Sequence, residues 1–238
     1  MNIKTINFKS IIQLNKYHGF ILKETNYGKL NFPRIKYTEG LNYISQLQPA
    51  ELQHSLILGS ILDPNGKHGC GSLFLREFIK YVYPGDEFIF DENEKWHVSV
   101  ELERFDIRIK NENNTKIIIL ENKSNWASDQ PNQLYRYWLY GIYNIQKGIP
   151  KILRPISRIL YLSPTYEKQY EEQSITRPNN DNTLPLKVPE GIIKIITFKK
   201  EIVEWLENCM NLVEEKSEIY YYLKQYKDYW GYALWQTL

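Results

Sequence analysis

The segment 104–137 constrains the fold most strongly, because it contains two short strand patterns separated by a polar turn. From Phe105 to Ile109, apolar and polar residues alternate, which is the period of a strand with one buried face. Residues 117–120 are all apolar, as expected for a strand in the middle of a sheet that is buried on both faces. The polar stretch 111–115 predicts a hairpin turn between them.

This pattern places three ionisable side chains at the ends of the two strands. Asp106 belongs to the polar set of the first strand. Glu121 and Lys123 follow the second strand with the spacing that puts both on one face and Asn122 on the other. If the strands pair as a hairpin, the two carboxylates and the lysine converge. Close carboxylates repel unless a cation lies between them, and Mg²⁺ prefers carboxylate and carbonyl oxygens. The pattern therefore favours a magnesium site, beside which Lys123 would orient or deprotonate an attacking water.

Composition limits the class of protein. The chain has 238 residues, of which 42% are hydrophobic and 14% aromatic, so it can form one substantial core. The net charge of +2 is too small for a protein that coats nucleic acid, so a nucleic-acid site would have to be a local basic groove. Cys70 and Cys209 are too few for a disulfide scaffold or a tetrahedral zinc site, which favours a reducing cytoplasm. The sequence shows neither a signal-peptide core nor an apolar run of about 20 residues, so we expect a cytoplasmic protein without a membrane partner.

The order Asp106, then Glu121-Asn122-Lys123 at the end of an apolar strand, resembles the PD-(D/E)XK nuclease superfamily. In the helix that follows, Gln133 and Tyr137 look like the Gln-x-x-x-Tyr element of its RecB-like branch. Upstream, residues 54–79 are similar to the segment that opens one bacterial branch of the superfamily. Together the matches cover roughly residues 50 to 163.

The resemblance implies an α/β fold with a restriction-endonuclease-like αβββαβ core, in which a central mixed β-sheet is flanked by helices. Extra helices are expected at both ends. We expect an N-terminal embellishment at 1–48, a nuclease-like core at 49–198 with a long excursion at 164–190, and C-terminal helices packed on the core at 199–238. Further strands are predicted at 87–90, 97–102, 159–162 and 192–198.

The resemblance also implies an activity, which is hydrolysis of phosphodiester bonds by a Mg²⁺-dependent nuclease for which Mn²⁺ can substitute. On family grounds the substrate is DNA rather than RNA. Asp106, Glu121 and the Asn122 carbonyl would hold the ion, and Lys123 would position the water. In many members an acidic residue on the first helix completes the metal site, which makes Glu51 a candidate. An exposed carboxylate favoured by the helix dipole explains Glu51 equally well.

Five more residues are candidates for binding the substrate or for orienting groups at the metal site. Gln133 and Tyr137, one helical turn apart, are an ordinary surface pair unless the preceding Glu-x-Lys gives them substrate contact or the task of orienting the lysine. Trp126 is a candidate for stacking on a nucleobase, although an aromatic residue before a helix is more often a packing anchor. Arg154 and Arg158 are candidates for a phosphate groove, against the usual interpretation of a solvated charge cluster.

Other interpretations of the chain stay open. A catalytically silent member would keep the fold as a nucleic-acid-binding or protein-binding module, although all three motif residues are present. The aromatic C-terminal run 220–235 favours packing against the domain or against a second copy in a homodimer. A Lys123–Glu121 pair without a metal explains the pattern poorly, because exposed pairs contribute about 0–1 kcal/mol. His54, expected beside Glu51 on the helix surface, and His68 lack zinc-spaced partners and are expected to be structural.

Overall fold

The computed structural model describes residues 42–83, 91, 93–150, 157–178 and 183–232. These residues form a five-stranded mixed sheet with helices on both faces. The predicted strand at 87–90, most of the N-terminal embellishment and the candidate Arg154 lie outside the described residues.

The sheet has the strand order β1-β2-β3-β4-β5, which is also the order along the chain. The first three strands are antiparallel neighbours, and β3, β4 and β5 are parallel. This arrangement confirms the predicted restriction-endonuclease-like α/β fold and its mixed sheet. The strands are β1 (Trp96–Leu102), β2 (Phe105–Asn111), β3 (Ile117–Asn122), β4 (Arg158–Ser163) and β5 (Ile193–Thr197).

Helices precede, connect and follow the strands. The crossover between β3 and β4 contains α4, which changes its hydrogen-bonding pattern twice along its length. In chain order the helices are α1 (Tyr43–Leu47), α2 (Glu51–Leu62), α3 (Leu73–Val82), α4 (α-helical at Gln133–Arg136, π-helical at Tyr137–Tyr143 and α-helical again at Asn144–Gln146), α5 (Glu172–Ile175), α6 (Val203–Met210, preceded by a π-helical turn at Phe198–Ile202) and α7 (Glu218–Tyr232).

All six residues of β3 are buried, as its unbroken apolar run predicts. One face of the sheet, which includes Ile118 and Leu120, packs with residues of α2, α3, α6 and α7. The opposite face, which includes Ile117 and Ile119, packs with residues of α4. Because side chains alternate between the faces, Glu121 belongs to the α4 side and Asn122 to the α2 side.

Helix α4 lies unusually close to the sheet at Gly141. A Cβ atom at this position would lie 2.3 Å from Cδ1 of Ile119 and 3.0 Å from the ring of Phe105, so a larger residue requires the Ile119 side chain or the helix to shift. Within the π-helical part, the Asn144 N–H donates to the carbonyl oxygen of Leu139, five residues earlier. The close approach brings the first turns of α4 against the ends of β2 and β3.

The described part of the long excursion at 164–190 packs on the start of α4 and contains α5. The Asn132 side chain donates to the carbonyl oxygen of Thr176 over 2.7 Å, and the Tyr135 hydroxyl donates to that of Pro185 over 2.8 Å. These bonds fasten the excursion to the helix that follows the Glu-x-Lys motif.

Helix α7 encloses His54, and the expectation that this histidine lies on the helix surface is wrong. The His54 ring is fully buried, and its Nδ1 atom lies 3.1 Å from the hydroxyl of Tyr226. The rings of Phe198, Tyr229 and Trp230 surround it at centroid distances of 4.9 to 5.7 Å. The α7 aromatics therefore pack against the domain, which is one of the two packing modes expected for the C-terminal run.

His68 has the structural role predicted for it. Its Nδ1 accepts a hydrogen bond from the Cys70 N–H over 3.0 Å, and its Nε2 lies 2.9 Å from the carbonyl oxygen of Asp63. The ring therefore fixes the loop between α2 and α3.

The burial of His54 predicts a pH-dependent stability. Burial lowers the pKa of His54 from 6.5 to about 4, so between these values the unfolded chain binds a proton that the folded chain does not. Stability should therefore be lost as the pH falls through this window. In urea titrations the wild type should lose about 2 kcal/mol more than His54→Phe between about pH 7 and about pH 5. Equal losses in the two proteins would contradict the burial of a neutral imidazole.

Candidate active site

The hairpin of β2 and β3 brings Asp106 and Glu121 together. Ile107 pairs with Leu120, so the next position toward the end of β3 places Asp106 opposite Glu121 on the same face of the sheet. Asp106 Oδ2 accepts a hydrogen bond of 2.7 Å from the backbone N–H of Asn122, which holds its carboxylate across the strand end. The convergence expected from the strand pattern is therefore present.

Lys123 completes the cluster from the residue after β3. Its Nζ atom lies 2.7 Å from Oε1 of Glu121, donates to Oε1 of Gln133 over 3.1 Å and lies 3.6 Å from Oδ1 of Asp129. The side chain is only 4% exposed, so this ammonium group is held by protein oxygens rather than by bulk water.

The charges at this strand end shift one another's protonation. Burial and the neighbouring Glu121 carboxylate raise the pKa of Asp106 to about 8. Burial also raises the pKa of Glu121, against the opposing effect of Lys123. Burial alone would lower the pKa of Lys123, but the Glu121 and Asp129 carboxylates outweigh it and raise that pKa above its usual value. Lys123 is therefore an ammonium group at neutral pH. The positive charge around Asp106 and Glu121 is too small to balance both carboxylates when they are ionised.

Two residues of α4 form hydrogen bonds with the Lys123 and Asp106 side chains. The side-chain oxygen of Gln133 accepts from Lys123 and, over 3.2 Å, from the backbone N–H of Gln130. The Tyr137 hydroxyl donates to Oδ1 of Asp106 over 3.4 Å. Burial and the nearby carboxylates of Glu121 and Asp106 raise the pKa of Tyr137, so its hydroxyl stays protonated. Gln133 thus contacts the lysine, and Tyr137 contacts a motif carboxylate.

Asn122 connects this site to the helix on the other face. Its amide nitrogen donates to the carbonyl oxygen of Glu51 over 2.8 Å and to the hydroxyl of Ser55 over 3.0 Å, and its amide oxygen accepts from the N–H of Ser124. The start of α2 is therefore bound to the end of β3. Burial raises the pKa of Glu51 while Lys123 opposes that shift, so the Glu51 carboxylate lies within electrostatic reach of the cluster.

The comparison with protein families decides the identity of this fold. A family model described as the PD-(D/E)XK nuclease superfamily matches residues 41–228 of the 238. The chain belongs to the PD-(D/E)XK nuclease superfamily. Neither the comparison with curated proteins nor the comparison with solved structures finds a match. Members of this superfamily are typically nucleases, and they generally use divalent metal ions.

The residues present fit such an ion. Oε2 of Glu121 is buried and has no partner at hydrogen-bond geometry, although the nearby Tyr137 hydroxyl lowers the pKa of this carboxyl and the sister oxygen is paired with Lys123. A buried carboxylate oxygen without a partner is costly unless a cation occupies the position in front of it. Asp106 lies opposite Glu121, and the Asn122 carbonyl supplies a neutral oxygen at the same strand end.

Glu51 does not join a larger ligand group. Across the described parts of the chain, no three side chains of the types His, Cys, Asp and Glu are grouped so as to hold a metal ion. Mg²⁺ does not require such a group, because it commonly binds one or two protein carboxylates and keeps several waters. Asp106 and Glu121 thus form a facing pair of carboxylates, with Glu51 within electrostatic reach of them.

The remaining candidates are placed differently. Trp126 is 45% exposed and has a left-handed backbone with φ of 60°, so part of its indole is open to solvent. Arg158 lies at the opposite end of β4, where its guanidinium group stacks over Tyr83 at 5.2 Å and donates to the carbonyl oxygen of Gly191. It lies on the α2 side of the sheet, away from the superfamily motif.

The superfamily motif has a further buried partner, Asp129, that the sequence interpretation missed. Besides its contact with Lys123, Asp129 accepts hydrogen bonds from the Tyr161 hydroxyl over 2.9 Å and from the Glu171 N–H over 2.7 Å. An aspartate just before a helix is typical of a helix start, so its local position does not indicate this contact. The available signal was Tyr161, an inward tyrosine in an apolar strand, since a buried hydroxyl needs a hydrogen-bond partner.

The raised pKa of Asp106 predicts that Asp106→Asn stabilises the metal-free protein at alkaline pH. An acid whose pKa is raised from 3.8 to about 8 makes the fold lose stability as the pH rises between these values, because the unfolded chain has released the proton that the folded chain keeps; the loss is complete above about pH 8. In thermal melts with EDTA, the variant should melt higher than the wild type at about pH 9, and the difference should shrink at about pH 6.

Glu94→Gln is the matched control for that experiment. Glu94 forms an ion pair of 2.8 Å with Lys116 near the far ends of β1 and β2, so its loss should not raise the melting temperature. An Asp106→Asn protein that melts below the wild type at both pH values would show that Asp106 is not under charge repulsion.

Proposed function

We propose that the protein is a Mg²⁺-dependent nuclease of the RecB-like branch that hydrolyses phosphodiester bonds in DNA. The observation that carries the proposal is the convergence of the Asp106 and Glu121 carboxylates beside a buried ammonium, with one Glu121 oxygen left without a partner. The superfamily match supports phosphodiester hydrolysis, and the choice of DNA rests on the resemblance of the motif.

The Asp106 and Glu121 carboxylates and the Asn122 carbonyl would hold the ion. When bound, Mg²⁺ activates a water and offsets the charge that develops on the phosphoryl oxygens. The protein holds this ligand set rigidly, because Asp106 is tied to the Asn122 N–H and the Asn122 side chain is tied to α2. Positioning of this kind is what a metal-assisted hydrolysis requires from the chain.

Lys123 would act as an orienting cation. In the metal-free protein the Glu121 and Asp129 carboxylates keep its pKa above the usual value, and its ammonium group is held between Glu121 and Gln133. Its ammonium protons are shared among Glu121, Gln133 and the approaching oxygen of the water or the phosphate. A preorganised donor of this type stabilises negative charge more strongly in a buried site than in water.

Tyr137 and Gln133 are positioning residues. Gln133 limits the rotation of the lysine by accepting one of its protons, and its own oxygen is fixed by the Gln130 N–H. Tyr137, which stays protonated, restrains one oxygen of Asp106. This pair gives the Gln-x-x-x-Tyr spacing a physical role, which supports the RecB-like assignment.

Cleavage assays test the proposal directly. Wild-type protein should cleave linear DNA with Mg²⁺ or Mn²⁺ and lose this activity with EDTA. Glu121→Gln and Lys123→Met should each lower the rate about 100-fold or more, because each removes electrostatic stabilisation that operates in the transition state. DNA binding, followed by fluorescence anisotropy, should change much less than the rate.

Lys116→Met serves as the control, because Lys116 belongs to an ion pair at the other end of the same hairpin. Its activity should equal that of the wild type. Binding of DNA without cleavage under any of these conditions would replace the nuclease by a silent binding module on the same fold. Full activity of Lys123→Met would remove the lysine from the reaction.

Trp126 gives a second prediction, because an exposed indole three residues after Lys123 can stack on a base of the substrate. Trp126→Leu should weaken binding of single-stranded DNA by about 5-fold to 100-fold, since stacking on one base contributes about 1–3 kcal/mol. Trp126→Phe should retain most of the affinity. Equal loss in the two variants would indicate that the indole supports the loop instead.

A further inference from the structure

A second feature adjoins the candidate site. A cavity of about 260 Å³ opens between the turn that joins β1 to β2 and the middle of α4. The Tyr137 side chain separates it from the carboxylates, since its hydroxyl contacts Asp106 while its ring packs edge-on against Phe105 at 5.1 Å. The cavity is lined by Glu103, Arg104, Phe105, Arg136, Tyr137 and Tyr140.

Within the described part of the chain, the two arginines that line this cavity, Arg104 and Arg136, form no ion pair with a carboxylate. Arg136 donates to the carbonyl oxygen of Pro131 over 2.8 Å and to the side-chain oxygen of Gln130 over 3.4 Å, and both acceptors are uncharged. The carboxylate in the lining, Glu103, is instead paired with Arg108 over 2.7 Å. Arg104 is exposed at the rim. An anion is therefore the charged group that this cavity fits.

An exposed aromatic ring stands beside these cations. Tyr140 is 59% exposed and follows Tyr137 by about one turn of α4. Guanidinium groups next to a solvent-facing ring are the combination that holds a nucleotide, because the cations bind the phosphate and the ring stacks on the base. The volume is slightly below the roughly 300–1,000 Å³ of pockets that enclose a whole small molecule, which suits one unit of a longer chain.

We propose that this cavity is a nucleotide subsite that holds the unit next to the scissile phosphate. Arg104 and Arg136 bind its phosphate and Tyr140 stacks on its base. The inference rests on the proposed nuclease function, because it identifies where the strand lies on leaving the carboxylates. It also gives the strand a path along α4, past Tyr137, rather than across the opposite face of the sheet where Arg158 lies.

The test compares Arg104→Gln/Arg136→Gln and Tyr140→Leu with the wild type in steady-state cleavage of single-stranded DNA. KM should rise about 10-fold in the double variant and about 5-fold or more in Tyr140→Leu, while kcat stays within about 2-fold, since the groups bind flanking substrate rather than the reacting atoms. Tyr140→Phe should restore the wild-type KM.

A separate binding experiment measures the phosphate contacts alone. Anisotropy titrations of a labelled oligodeoxythymidine in EDTA, repeated at several salt concentrations, give the slope of log affinity against log salt. The slope should fall by about 0.7 for each phosphate contact that the double arginine variant loses. Tyr140→Leu should weaken binding without changing the slope.

Matched controls come from the second large cavity, of about 720 Å³, which is lined by Lys67 and Tyr222 among others. Lys67→Gln/Lys216→Gln removes the same charge as the double arginine variant from exposed positions, of which Lys67 lines the second cavity and Lys216 lies outside its lining. Tyr222→Leu removes a tyrosine that is 38% exposed, against 59% for Tyr140. Both controls should leave KM and the salt slope unchanged. An effect as large as that of the cavity variants would overturn the subsite in favour of bulk charge.

The two proposals fail separately. Wild-type cleavage with unchanged KM in the arginine and tyrosine variants would overturn the subsite and keep the nuclease. Absence of cleavage by the wild type, with binding that still depends on Arg104, Arg136 and Tyr140, would overturn the nuclease and keep a nucleotide-binding cavity.

Discussion

The buried contact between Lys123 and Glu121 is the interaction on which the site depends. Removing both charges from water costs several kcal/mol for each ion, and the cost is offset only by good geometry and additional hydrogen bonds. Gln133 and Asp129 supply such contacts to the lysine, whereas one oxygen of Glu121 receives none. The pair is therefore poorly suited to stabilise the fold by itself. The Glu121 oxygen that receives no hydrogen bond is the feature that suits the pair to bind a cation.

The rest of the molecule positions this pair from three directions. The hairpin sets Asp106 opposite Glu121, α4 brings Gln133 and Tyr137 onto the same face, and Asn122 anchors the strand end to α2 on the other face. The neighbouring cavity extends this arrangement outward along α4, from buried polar groups to exposed cations and an exposed ring. The face of the sheet covered by α4 thus combines the chemistry and the contacts proposed for the substrate.

Features with a strict period could be predicted from the sequence, and features that depend on distant partners could not. The apolar run of β3 and the alternation in β2 predicted the hairpin and the convergence of residues 106, 121 and 123. The burial of His54 depends on α7, which is more than 150 residues away. The role of Asp129 depends on a tyrosine of β4. Local pattern does not identify the distant partner in either contact.

Because α4 contains a π-helical segment, the way this helix packs depends on its exact number of residues. A π turn accommodates one residue more than an α turn, so removing a single residue between Tyr137 and Tyr143 would leave an ordinary α-helix. Because the wider turn takes up this residue, such a deletion would leave both flanking parts of the helix facing nearly as before, whereas a deletion in an α-helical turn of α4 would rotate them by about 100° relative to each other. In the second case the protein could keep either Gly141 on the sheet or Gln133 at the lysine, but not both. The effect of losing one residue from α4 is therefore expected to depend on the turn that loses it, even where no motif residue changes.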